Sequence, residues 1–198
     1  MHAYTLFPCH MCVDYLGLNN SKIEQYAYSL RGSLSGRQHS NRGGWHSDYV
    51  GEEPEMQELV SQINTRLEQL RYIYKFKSNL ELKVSGMWIN INSPNNYNTN
   101  HTHPDSFISG TYYVKVPKNS GSIVLKHPSV VQEIHTNMFL REEYFDSFDE
   151  HNSITWAVQG EENKILFFPG WVEHEVTQNL STEDRISIAF NSRLVDRK

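Results

Sequence analysis

Cysteine is nearly absent: the chain carries two, Cys9 and Cys12. That excludes a disulfide-stapled scaffold and a structural zinc site built from two cysteine pairs. Cys9-His10-Met11-Cys12 has the spacing of a redox or zinc pair, but it does not sit between a clear strand and a helix. The two thiols read as small hydrophobes. No apolar run approaches the roughly 20 residues needed to span a bilayer. Met1-His2-Ala3-Tyr4 does not begin a charged-then-apolar leader, so the cytoplasm is the expected compartment and no membrane partner is expected. Basic clusters are missing as well: 18 Lys and Arg stand against 23 Asp and Glu, for a formal net charge of -5. That balance disfavours a surface for bare nucleic acid. No internal repeat is visible.

What remains is the composition of an ordinary globular chain. The 198 residues suit a single domain, with 38% hydrophobic and 21% charged residues. Aromatic residues, at 12%, favour strands and pocket walls.

Residues 3 to 8, Ala3-Tyr4-Thr5-Leu6-Phe7-Pro8, read as a short strand stopped by proline. Ser21 to Leu34 reads as a helix with Ser21 as N-cap and Glu24 completing a capping box. Ile23, Tyr26, Ala27, Leu30 and Leu34 share its apolar face. Residues 35–48 are polar and glycine-rich, too polar for the core; they form either a surface connection or a lid or pocket wall. Pro54 to Lys75 is the clearest helix, with Met56, Leu59, Val60, Ile63, Leu67, Leu70 and Tyr74 at helical spacing and proline in the first turn.

From Leu80 the texture is that of strands: Leu80–Ile91, Phe107–Val116, Ser122–Lys126, Val130–Thr136, Ser153–Val158, Lys164–Phe168, His174–Gln178 and Arg185–Ser192. Short strands at regular spacing suggest a sandwich or barrel. Glu142 to Glu150, in an insertion spanning about 137–152, fits no element. The expected architecture is mainly β with flanking helices: helical support over about 21–75, packed on one sheet of a double-sheet core over about 80–194. Unpaired strand edges would support a homodimer.

The chemistry gathers in three segments. His101 and His103 alternate, so on a strand they point the same way; Pro104 ends that strand and sets the pair at a sheet rim. His174 follows the apolar strand Lys164–Phe168 and its Pro169-Gly170 turn. Two close imidazoles and one remote one are a plausible metal-ligand set, suited to iron, zinc, copper or nickel. The segment Arg185-Ile186-Ser187-Ile188-Ala189-Phe190-Asn191 alternates strictly. Ile186, Ile188 and Phe190 take the packed face, while Arg185, Ser187, Ala189 and Asn191 take the other. An arginine facing a barrel interior is costly unless a ligand uses it, and its guanidinium binds a carboxylate through two parallel hydrogen bonds. A metal beside it suggests a small acid that chelates at one end and is clamped at the other.

These residues resemble a known family. His101-Thr102-His103-Pro104, Ser109-Gly110-Thr111-Tyr112-Tyr113-Val114, Phe167-Phe168-Pro169, His174 and Arg185 through Asn191 resemble the 2-oxoglutarate and Fe(II)-dependent oxygenases of bacteria and their phages. Trp88-Ile89-Asn90-Ile91-Asn92 and residues 40–47 share the likeness. The resemblance implies a double-stranded β-helix, a jelly roll of the cupin kind, with Fe(II) at its mouth, 2-oxoglutarate as small-molecule cosubstrate and O2 as oxidant. By it, His101, His103 and His174 would hold the metal. Arg185 would clamp the distal carboxylate, with Ser187 and Tyr113 as hydrogen-bonding helpers and Asn90 and Asn191 as pocket residues.

The usual ligand pattern of that superfamily includes a carboxylate, so a second register, His103 and Asp105 with His174, stands beside the favoured His101 and His103. The primary substrate, whether protein side chain, metabolite or nucleotide, is not specified by these residues. Two other readings compete. A cupin-like metal- or sugar-binding protein would use the histidines but not an inward arginine. A β-sandwich with an incidental histidine cluster would leave Arg185 exposed or paired with an acid.

Overall fold

The computed structural model describes residues 1–2, 4–129 and 144–197. Its elements run β1 (Cys12–Tyr15), α1 (Asn20–Ser33), β2 (Asn41–Arg42), β3 (Trp45–Tyr49), α2 (Pro54–Tyr74), β4 (Leu80–Asn92) and β5 (Tyr97–His101). Then follow β6 (Ile108–Lys115), β7 (Ser122–Lys126), β8 (Thr155–Gln159), β9 (Lys164–Pro169), β10 (His174–Val176) and β11 (Arg185–Asp196). Two antiparallel sheets result. One has six strands in the order β1-β9-β6-β11-β4-β3; the other has five, in the order β2-β5-β10-β7-β8. Among the described residues no helix is long and apolar enough to cross a membrane.

The strict alternation at 185–191 decides how the layers stack. Ile186, Ile188 and Phe190 are fully buried in the larger apolar cluster, together with Met87, Ile89 and Ile91 of β4. Onto that face fold α2, through Met56, Leu59, Ile63 and Leu67, and α1, through Ile23 and Ala27. Removing one such side chain, as in Leu59→Ala, would cost about 2–5 kcal/mol. Both helices therefore lie against strands of the six-stranded sheet, as expected. The opposite face of that sheet meets the smaller sheet over a second cluster of Tyr113, Ile123, Leu125, Leu166, Phe168 and Val172. This inner cluster does not fill the whole space between the sheets, and the remainder is the cavity described below.

Helix α2 begins with Pro54, whose missing N–H is one the first turn cannot use anyway, and ends at Lys75 in the left-handed region (φ 53°). Helix α1 is capped by Asn19, whose side chain accepts from the Ser21 N–H at 3.1 Å. The cap thus lies two residues before the expected Ser21: an asparagine just outside the helix reaches the free N–H that Ser21 could not satisfy from within.

Three other expectations change. Residues 4–8 form no strand; Leu6 and Phe7 are exposed, and Phe7 has a positive φ of 56°, incompatible with an extended ladder. The N-terminal strand is Cys12–Tyr15, pairing with β9. Residues 35–48 are not merely a polar passage: they supply β2 and most of β3, and Asn41, His46 and Ser47 are buried. Polar side chains can be interior when each finds a partner; Asn41 donates to the carbonyls of Arg37 and Gly44, and Ser47 accepts from the Ile89 N–H. The helices also do not precede all the strands, since β1 to β3 interleave with them. The expected strand Val130–Thr136 and the first two residues of the segment 142–150 lie outside the described residues.

Candidate metal centre

His174 opens β10 and is paired directly with His101, the last residue of β5, on one side and with Leu125 on the other. Two positions further along β10, Val176 faces Asn98, so three steps of β5 match two of β10. Such a bulge re-aims side chains. Here Asn98 bonds Asn92 of the opposite sheet at 3.1 Å, while His101 also reaches the cavity.

Strand alternation was expected to align His101 with His103. In fact β5 stops at His101, and His103 sits in the following turn, its N–H donating to the Gly170 carbonyl at 2.8 Å. Pro104 has no N–H to continue pairing, and Asp105 adopts a positive φ of 66°. The turn, rather than the pleat, brings His103 to the other two.

The three imidazoles converge. Their potential ligand atoms all lie within 4.8 Å of one another. His103 Nε2 and His174 Nε2 are 3.2 Å apart. Nitrogens about 2.0–2.1 Å from one cation and at right angles to each other are separated by roughly 3 Å. Nδ1 of His101 lies 2.7 Å from the Thr99 carbonyl, and Nδ1 of His174 lies 2.9 Å from the Val172 carbonyl. A carbonyl only accepts, so each Nδ1 carries the proton and each Nε2 presents a bare lone pair. Burial, reinforced by the neighbouring imidazoles, lowers the pKa of His103 to about 3 and that of His174 to about 4; burial lowers His101 as well. A neutral ring is the form that binds a metal. Asp105 is exposed, and no cluster of three ligating groups among the described residues includes it.

Arg185 stands on β11, 2% exposed. One of its terminal nitrogens donates to the Ser120 carbonyl at 3.0 Å, but its Nε is buried with no partner. No acidic side chain among the described residues pairs with it. The incidental-sandwich reading, which needs an exposed or acid-paired Arg185, therefore fails. Burial lowers the pKa of this guanidinium, with Tyr113 opposing. Burial likewise pushes the Tyr113 phenol up to about 12, Arg185 pulling it back. Across the sheet, Asn90 pairs with Ser187 and Ser187 with Tyr113, which places three polar side chains in one rung beside Arg185. Asn90 Oδ1 is buried without a partner. Asn191 accepts from Ser109 at 2.9 Å.

The three histidines, Arg185, Tyr113, Ser187, Asn90 and Asn191 line one cavity of about 590 Å³. Part of its wall comes from residues 35–48, one of the two readings open for that passage. His39, His46, Tyr49 and Trp88 form the outer wall, with His46 and Trp88 stacked at 5.6 Å and 13°. The isolated histidines at 39 and 46 carried no spacing signal; only the register of β3 on β4, which sets His46 opposite Asn90 and Tyr49 opposite Trp88, brings them to the site.

No curated protein sequence matches the chain. Solved structures do match in fold. A Pseudomonas putida prolyl-4-hydroxylase is 13% identical with a TM-score of 0.60, the alignment covering 95% of this chain and 93% of that one. HygX from Streptomyces hygroscopicus, solved with nickel and 2-oxoglutarate, is 10% identical with a TM-score of 0.59, covering 92% and 82%. The viral collagen prolyl hydroxylase vCPH from Paramecium Bursaria Chlorella virus-1 is 11% identical with a TM-score of 0.56, covering 92% and 95%. At such identities the likeness carries the architecture, the double-stranded β-helix. Residues 86–191 match the sequence profile of the family described as "Putative 2OG-Fe(II) oxygenase". That span is more than half of the chain and contains His101, His103, His174 and Arg185. The chain belongs to this 2OG-Fe(II) oxygenase family, whose members depend on Fe(II) and 2-oxoglutarate, and is a 2-oxoglutarate-dependent dioxygenase.

Proposed function

We propose that the protein is a hydroxylase in which His101, His103 and His174 hold Fe(II) and Arg185 receives the distal carboxylate of 2-oxoglutarate. One observation carries this reading: three converging imidazole nitrogens and a buried guanidinium without an acidic partner face the same cavity. The donor set suits a borderline divalent cation. Bound Fe(II) would supply the chemistry by which O2 is divided: one oxygen atom goes into the succinate formed, with CO2, from 2-oxoglutarate, and the other into a substrate C–H bond to give the alcohol.

The chain's own residues do the positioning. Arg185 offers Nε and its second terminal nitrogen, a planar fork that matches a carboxylate. Its charge acts strongly because the side chain is buried. Ser187 and Tyr113 can each donate a hydroxyl hydrogen to the same group, and burial keeps Tyr113 protonated for that purpose. Three neutral imidazoles add no negative charge, so the dianionic cosubstrate would offset part of the positive charge of the cation and Arg185, leaving the site net positive. Phe168, Ile123 and Val176 line the same space with apolar surface and limit water near the metal. Asn191 and Asn90, the latter through its unpartnered oxygen, complete the lining. The cavity exceeds what one small diacid fills, and the room left toward His39, His46, Tyr49 and Trp88 is where a primary substrate enters.

The direct test is anaerobic addition of Fe(II) and 2-oxoglutarate to the purified protein. A weak visible charge-transfer band and thermal stabilisation by 2-oxoglutarate are expected; absence of both would sink the assignment. A cytoplasmic location and a homodimer belong to the same proposal. Oligomeric state is checked by sedimentation.

A further inference from the structure

We propose that Trp88 orients His103 for metal binding, with His46 stacked behind it. This rests on the reading of His103 as a ligand. His101 and His174 are each steered by a carbonyl on Nδ1. Among the described residues His103 has no such bond; its one ring contact through nitrogen is to His174. Among the described residues three rings surround it: His101 at 5.1 Å, His174 at 5.0 Å and Trp88 at 5.6 Å. The first two are the other ligands, so Trp88 is the neighbour that can set the ring from outside the ligand set.

Trp88 is well placed to do so. It is 8% exposed and lies on β4 with β11 on one side and β3 on the other, opposite Ala189 and Tyr49. Its indole stacks on His46 almost in parallel, at 13°. His46 is itself held: its Nδ1 lies 2.7 Å from the Ser47 carbonyl, and His39 packs on it at 4.8 Å. A continuous column of rings thus runs from the segment at 39–49 to His103. An imidazole without a hydrogen bond on its distal nitrogen keeps rotational freedom that metal binding must remove. Packing against a fixed indole removes it beforehand. Residues 39–49 are by this account a rigid wall that supports the centre, not a lid.

The test uses Co(II) alone as probe, with Trp88→Leu and Trp88→Phe. Co(II) affinity is titrated, and ring mobility in the metal-free protein is read from carbon relaxation of the three histidines. Trp88→Leu should weaken Co(II) by about 10–100-fold, the range seen when a ligand loses its supporting partner. In that variant His103 alone should become mobile, and Trp88→Phe should keep both properties. A merely structural role would loosen all three rings together, and that result overturns the proposal. So does Trp88→Leu with wild-type affinity and a rigid His103. If the wild-type protein takes up no Co(II), the ligand assignment itself falls and this inference with it. Where Trp88→Leu fails to fold, His46→Leu decides instead: a mobile His103 supports the column and a rigid one overturns it.

Discussion

His103 and His174 are separated by 71 positions, yet their Nε2 atoms lie 3.2 Å apart. His174 keeps its proton on the far nitrogen, against the Val172 carbonyl, so without a metal His103 Nε2–H can donate to the bare Nε2 of His174. With its proton moved to Nδ1, His103 would present a second lone pair at a spacing that one cation can bridge. His174→Ala should therefore abolish metal uptake, with a loss exceeding the roughly 10–100-fold that follows removal of a mere supporting bond. Calorimetric titration with Co(II) or Fe(II) checks it. Retained affinity would mean that the imidazoles converge for another reason.

Arg185 yields a pair of opposed outcomes. Arg185→Ala should leave metal affinity unchanged and weaken 2-oxoglutarate by about 2–5 kcal/mol, the cost of removing one partner of a buried charge pair. Arg185→Lys should not restore binding fully, since a point charge cannot replace a planar fork. Without ligand, however, the buried Nε has no partner. Arg185→Met should then stabilise the ligand-free protein by about 1–4 kcal/mol. Thermal melts with and without 2-oxoglutarate read both effects; a wild-type midpoint indifferent to 2-oxoglutarate would refute the clamp.

The sequence makes some of this visible and hides the rest for identifiable reasons. Arg185 through Asn191 alternates so strictly that its two faces can be named in advance, and Ile186, Ile188 and Phe190 are indeed in the core while Arg185, Ser187, Ala189 and Asn191 line the cavity. The spacing of Met56, Leu59, Ile63 and Leu67 likewise exposes α2. His103 is different. It meets His101 and His174 through a turn held by the Gly170 carbonyl, a long-range contact with no local period. Asn98 and His101 share the interior only because β5 bulges against β10, which alternation cannot foresee. Ser47 looks like a loop residue because its hydroxyl finds a partner distant in sequence, the Ile89 N–H, and His46, whose ring bonds the adjacent Ser47 carbonyl, is carried inside by the register of β3 on β4.

Asp184 precedes the clamp and gives a pH signature. It pairs with Arg31 at 3.0 Å and accepts from Ser93 at 2.6 Å. Burial raises its pKa, but the hydrogen bonds from Ser93 and Arg31 outweigh this and hold the carboxyl below its ordinary value. The folded pKa being the lower one, its stabilisation is complete above the unfolded pKa of about 3.9 and is lost as pH falls through the folded pKa. Asp184→Asn should cost about 0.2–1 kcal/mol at neutral pH. That difference should shrink below about pH 4. Denaturant melts of both proteins across that range test the sign; a gap that widens on acidification would contradict it.

Gly170 links backbone space to the metal site. Its N–H donates to the Phe107 carbonyl and its carbonyl accepts from the His103 N–H at 2.8 Å. A Cβ at this position would collide with the Ser106 carbonyl oxygen and come within 3.0 Å of that of His103. Both are backbone atoms, so neither can swing aside as a side chain would; the whole turn from His103 to Ser106 must shift. Gly170→Ala should then cost about 1–3 kcal/mol of stability, as overpacking does. It should also weaken metal binding, because the displaced turn carries His103. An overpacked site on a strand that carries none of the three ligands, such as Gly110→Ala on β6 against Phe190 and the Leu166 carbonyl, should lower the melting midpoint to a similar degree and leave affinity intact. Paired melts and Co(II) titrations of the two variants separate the effects. Equal losses of affinity in both would show that general destabilisation, and not the carbonyl under His103, sets the geometry of the centre.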